Sequence, residues 1–165
     1  MAVTVRRLTF DDDLDLFGKL VLSSYLALPG HPADASYDHE LADVGARVRD
    51  GVVFGAFEAA TPRGCVTYVD DASSPYAEDL HDGEASFRML GVSTEAQGQG
   101  IGEALVVRCL DEARAAGRSA VFIHSGDWMT TAHRLYGRLG FARVPERDWR
   151  FPEYGIVLLG YLRTL

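Results

Sequence analysis

The sequence predicts a mixed α/β fold built around one central sheet, and three observations predict it. Antiparallel strand-like runs come first, at residues 52–59 and 65–70. Two β–α units follow, at residues 84–117 and 119–140. Between the strand and the helix of the first unit stands QGQGIG, residues 97–102, a glycine turn opening a helix. Early hairpins followed by β–α units close on a single sheet with helices packed against it. The chain of 165 residues suits one domain spanning residues 1–165, and that length buries a core without help from disulfides or metals.

Residues 3–9 (VTVRRLT) alternate well enough for a first strand. Asp11, Asp12 and Asp13 follow, and carboxylates favour a helix N-terminus. The apolar run 14–28 reads as the first helix, ended by Pro29 and Gly30, and residues 39–50 as the second, closed by Gly51. VVFGAFEA (52–59) reads as a strand, TPRG (61–64) as a turn and CVTYVD (65–70) as the antiparallel partner. The acidic, turn-rich segment 71–83 reads as a mobile loop. Residues 84–92 form the strand before the glycine turn. In the next helix, 103–117, Ile101, Leu105, Cys109 and Ala113 are four apart and make an apolar stripe, widened by Val106 and Leu110. Glu103, Asp111, Glu112 and Arg114 face away, and Gly117 ends the helix. SAVFIHS (119–125) is a buried strand and residues 131–140 a short helix. Residues 141–151 and 155–165 read as two last strands, separated by Pro152.

The net charge of −8 argues against nucleic acid, which needs clustered cations, and is compatible with a cationic acceptor such as an amine. Cys65 and Cys109 form no CxxC and read as small buried apolar residues, which suits a reducing cytoplasm. No signal-peptide core and no long apolar run is present, so no membrane partner is expected. His31, His39, His81, His124 and His133 show no HxH or HExxH spacing, so no metal is expected.

A glycine turn at a helix start presents backbone N–H groups and the positive end of the helix dipole, which together hold phosphate. A dinucleotide loop is excluded because Gly98, Gly100 and Gly102 are spaced GxGxG, not GxGxxG. A P-loop is excluded because no lysine follows; Lys19 is the single lysine of the chain. Three glycines in a plain helix start are costly, at about 1 kcal/mol per helical position. Close approach of a diphosphate to the backbone would offset that cost.

Gln97-x-x-Gly100-x-Gly102 resembles the pyrophosphate loop of the GNAT acyltransferase superfamily. LGV at residues 90–92 stands before it at the family's spacing, and HRLYGRLGF at residues 133–141 resembles the family's second motif. The resemblance implies the GNAT fold, a single central mixed, mostly antiparallel sheet of about six to seven strands with helices on both faces. It implies acetyl-CoA as co-substrate, with the pyrophosphate on the backbone of Gln97, Gly98, Gln99, Gly100, Ile101, Gly102 and Glu103. The pantetheine arm would pair with the strand carrying Leu90, Gly91 and Val92, where that strand splays from the next.

Acyl transfer to an amine needs a neutral amine, a donor for the oxyanion and a donor for the departing thiolate. By the resemblance, the N–H near Val92 serves the oxyanion and Tyr136 serves the sulfur. Glu84, or water, is the expected base, with His124 second and His81 and Asp127 behind it. Met129 departs from the family, which often carries Asn there to contact the pantetheine arm; Thr130 and Thr131 stand beside it. Tyr25, Tyr37, Trp128 and Trp149 read either as acceptor-side walls or as packing. The expected activity is N-acetylation of a small-molecule or peptide amine. The alternatives are a catalytically weak acyl-CoA-binding or regulatory module, or O- or S-acyl transfer. A homodimer is compatible with the resemblance.

Overall fold

The computed structural model describes residues 2–165. Its strands are β1 (Val3–Arg7), β2 (Val52–Glu58), β3 (Thr61–Val69), β4 (Glu84–Val92), β5 (Ala120–Gly126), β6 (Ala142–Arg143), β7 (Trp149–Phe151) and β8 (Ile156–Thr164). Its helices are α1 (Leu14–Leu26), α2 (Ala35–Ala42), α3 (Val44–Asp50), α4 (Ile101–Ala115) and α5 (Thr130–Arg138). The strands form one eight-stranded sheet in the order β1-β2-β3-β4-β5-β8-β6, with β7 also on β8. The expected six or seven strands become eight because residues 141–151 are not one strand. A turn at Pro145–Arg147 divides them into β6 and β7, since proline supplies no ladder donor.

Every pairing is antiparallel except β4–β5. That parallel ladder holds only Glu84 opposite Ala120 and Ala85 opposite Val121. Beyond those two rungs the strands part. A bulge bends β4 there: Cys65 and Thr67 of β3 stand opposite Gly91 and Arg88, so β4 carries an extra residue. Met89 takes up the bulge at φ +55°, a left-handed backbone that a side chain rarely adopts.

Helices cover both faces, and alternation along the strands divides the core. Phe54, Val66 and Phe87 pack under Leu105, Val106 and Cys109 of α4. Their neighbours Val53 and Cys65, with Met89 turned over by the bulge, pack under Phe17 and Val21 of α1 and Leu41 and Val44 beyond it. The apolar stripe on α4 is buried throughout, and both cysteines are buried and free.

Two further expectations need correction. The single helix expected at 39–50 is α2 and α3, and α2 begins earlier. Asp34 caps α2 through Ser36 and Tyr37, and Asp43 caps α3 through Ala46. Arg47, buried, donates to the carbonyls of Glu40 and Leu41 and seals the break. The hairpin turn is at Ala59, φ +53°, so TPRG opens β3 rather than forming the turn. In the acidic loop 71–83, Glu78 pairs with Arg88 at 3.2 Å and Asp79 with Arg147 at 3.1 Å.

Candidate active site

The glycine turn opens α4 on left-handed backbone. Gly98 and Gly100 sit at φ +78° and +83°, which a side chain would strain, while open space surrounds the place of a Cβ at both. Backbone geometry, not crowding, therefore requires glycine here. Gly100 opens α4 and no side chain caps the helix. By contrast α1, α2 and α3 each carry an aspartate cap. An uncapped helix start leaves its first N–H groups free to bind an anion.

These groups wall a cavity of about 460 Å³. Leu90, Gly91, Val92, Gln97, Gly98, Gly100, Ile101, Gly102 and Glu103 line it, nine of the ten residues expected to hold the cofactor. Gln99 is exposed and stands outside the lining. Arg134 and Arg138 of α5 supply positive charge to the same walls. Their i, i+4 spacing was the legible signal for a shared face. Thr131 and Met129 also line it, at the place where the family often carries a carboxamide.

The edge of β4 is open where β5 has left. Ser93 donates its N–H to Arg63 of β3 at 2.7 Å, so alternation turns the N–H and C=O of Val92 to the opposite edge. There Gln97 Nε2 donates to the Val92 carbonyl at 3.3 Å.

A second cavity, of about 370 Å³, lies on the other side of the parting. Tyr25, Leu90 and Met129 line both cavities. Tyr136 lines the second, packed edge-on to Phe87 at 5.8 Å. Its hydroxyl has no hydrogen-bond partner among the described residues, and burial pushes its pKa well above the ordinary tyrosine value. The phenol therefore keeps its proton and is free to donate it. His133 fastens α5 to the end of β5, its Nε2–H donating to the Gly126 carbonyl at 3.0 Å. Burial lowers the His133 pKa, which keeps the ring neutral.

Tyr37, Trp128 and His124 also line the second cavity, and Gly126 makes room for the indole: a Cβ there would meet the Trp128 ring at 2.5 Å. Trp149 stands behind this wall, its ring tilted against His124 at 4.5 Å. His124 Nε2 lies 2.8 Å from the Arg147 carbonyl, which only accepts, so the neutral ring carries its proton on Nε2.

Glu84 lies apart from these groups. It lines neither cavity, and its carboxylate takes two contacts from Arg147, at 2.7 and 3.0 Å. Seven residues separate it from Val92, at most about 26 Å of strand, which the bulge at Met89 shortens. His81 sits beside Glu84 and Asp79, and Asp127 is exposed; neither residue lines either of these two cavities. Among the described residues no group of three or more His, Cys, Asp or Glu stands close enough to hold a metal, and no helix is long and apolar enough to cross a membrane.

A family model described as "Acetyltransferase (GNAT) family" matches residues 19–141. An IAA acetyltransferase from Azospirillum brasilense is 39% identical over 66 residues, which covers 40% of this chain and 43% of that protein. An acetyltransferase of the same family from Desulfovibrio desulfuricans superposes with a TM-score of 0.73 at 22% identity, over 99% of each chain. A Salmonella typhimurium structure holding its cofactor acetyl-CoA superposes with a TM-score of 0.68 at 22% identity, over 100% of this chain and 95% of that one. At those identities the likeness is one of fold.

Proposed function

The chain belongs to the acetyltransferase (GNAT) family, and from that premise we propose that it moves an acetyl group from acetyl-CoA to a primary amine. The observation that carries this reading is the meeting of two cavities where β4 and β5 part. An uncapped helix start faces one of them and a protonated phenol faces the other.

In this reading the N–H groups around Gly98, Gly100, Ile101 and Gly102 hold the pyrophosphate, with charge-assisted bonds that need no lysine. Arg134 and Arg138 add countercharge. The open edge at Leu90, Gly91 and Val92 pairs with the pantetheine amides, and Gln97 gives up the Val92 carbonyl to allow it. Thr131 offers the hydroxyl that stands in for the family's carboxamide. The amine, held neutral in the second cavity, attacks the thioester carbonyl. The Val92 N–H stabilises the oxyanion, and Tyr136 donates to the departing sulfur. Water in the acceptor cavity takes the amine's proton. Glu84 acts on position only, by holding Arg147 and with it the loop that bounds the cavity.

Tyr136→Phe tests the assignment, with coenzyme A release followed by a thiol reagent. The expected result is a fall in kcat of about 100-fold, with the melting temperature and the KM for acetyl-CoA unmoved. Undiminished turnover would remove Tyr136 from the reaction.

A further inference from the structure

Aromatic rings make up much of the acceptor cavity's wall, and the polar atoms without a partner, among them Trp128 Nε1, His124 Nδ1 and the Tyr136 hydroxyl, belong to those rings. Tyr25, Phe87, Trp128, Phe151, Tyr154 and Leu158 supply much of its wall. Three formally charged residues also line it, and each is already engaged. Glu78 pairs with Arg88 at 3.2 Å, and Arg88 donates further to the Tyr76 carbonyl. Asp34 Oδ1 accepts from the N–H groups of Ser36 and Tyr37, at 3.0 and 3.1 Å. Asp34 is exposed, as is Tyr154 at 73%, and both sit at the mouth. One net negative charge is left there, which draws a cation without binding it deep inside.

These contacts decide between kinds of amine. A polyamine would bury a second ammonium with no carboxylate left to pair it. An amino sugar would bury several hydroxyls, and a peptide its amides, among ring faces, where polar atoms stand only at the ring edges, such as Trp128 Nε1 and the Tyr136 hydroxyl, and would partner those groups in part. Each unpartnered group costs affinity. An aromatic body loses nothing by leaving water and gains edge and face contacts with the rings. Building on the acetyl transfer to an amine proposed above, we infer that the acceptor is a small primary amine on an aromatic or apolar body, with no second charge.

The test is steady-state turnover at saturating acetyl-CoA of 2-phenylethylamine, spermidine, glucosamine and a hexapeptide with a free N-terminal alanine. The expected kcat/KM for 2-phenylethylamine exceeds each of the others by about tenfold or more. Trp128→Leu raises the KM for 2-phenylethylamine and leaves that for acetyl-CoA alone. Tyr154→Ala, at an exposed position that folding does not need, does the same to a smaller degree. If spermidine, glucosamine or the peptide is the best acceptor, the aromatic class is overturned and amine acetylation stands. If acetyl-CoA raises the melting temperature but none of the four amines is turned over, or if acetyl-CoA does not raise it at all, both readings fall.

Discussion

Gly102→Ala separates the two jobs that the glycine turn does. Gly102 lies in the first turn of α4 with ordinary helical backbone, unlike Gly98 and Gly100. A Cβ there would stand 3.5 Å from Leu135 and 3.7 Å from Val92, which is normal contact. Nothing in the folded chain resists alanine, and alanine restricts the unfolded chain. The gain is up to about 1 kcal/mol, less for a first-turn position. For a chain of this length that is about 2–4 °C in melting temperature. The same methyl would project into the cavity where the phosphates are proposed to approach the backbone, and a tenfold loss of affinity is expected. Acetyl-CoA at about 100 times its Kd stabilises a protein by about 2.7 kcal/mol, and a tenfold loss removes about half of that. Differential scanning fluorimetry with and without acetyl-CoA reads both effects. The variant should melt higher alone and gain less from the ligand. An undiminished ligand shift would refute close approach at Gly102, and a lower intrinsic melting temperature would refute the steric argument.

Other substitutions probe the surrounding frame. Glu84→Gln keeps the shape and loses the charge that Arg147 grips at 2.7 Å, with side chains only 8% and 14% exposed. It should cost about 1–3 kcal/mol in urea unfolding and leave the pH dependence of kcat/KM in place; a displaced acid limb would return Glu84 to the role of base. Asp148 is held by Arg143 at 2.7 and 2.9 Å and by the Gly160 N–H at 2.7 Å, and these bonds push its pKa down to about 2. Its folded pKa lies below the ordinary 3.8, so its contribution is present above about pH 4 and is lost as pH falls towards 2. Asp148→Asn should cost about 1–2 kcal/mol at neutral pH and flatten the stability curve in that acid window, as urea titrations at several pH values would record.

The glycine turn was legible because its signal is local: the φ angles at Gly98 and Gly100 follow from residue type and spacing. The stripe on α4 was legible for the same reason, since helical period alone buries Leu105 and Cys109. What escaped depended on partners far along the chain. Glu84 at a strand start reads as the candidate base until Arg147, 63 residues on, is seen to claim it. Asp43 falls inside the single helix expected at 39–50, and only tertiary placement makes it the cap between two. Met89 carries no residue-type hint of a left-handed backbone, yet its bulge turns β4 at the parting. An upper bound on the distance from Glu84 to Val92, by contrast, was available from strand rise alone.

The parting of β4 from β5 follows from topology. β4–β5 is the single parallel junction of the sheet, and a parallel junction needs a crossover, here α4. The crossover must leave from the C-terminal end of β4, so the uncapped start of α4 is delivered beside the opened edge at Val92. Open α/β sheets place ligands outside the carboxyl ends of their strands for this reason. At the opposite end the two remaining rungs, Glu84–Ala120 and Ala85–Val121, hold the strands together, and Arg147 clamps them by gripping Glu84 and lying 3.4 Å over the Phe122 ring of β5. A clamp at one end and an opening at the other are complementary demands on the same pair of strands. A carboxylate at the clamped end therefore supports the gap without reaching into it.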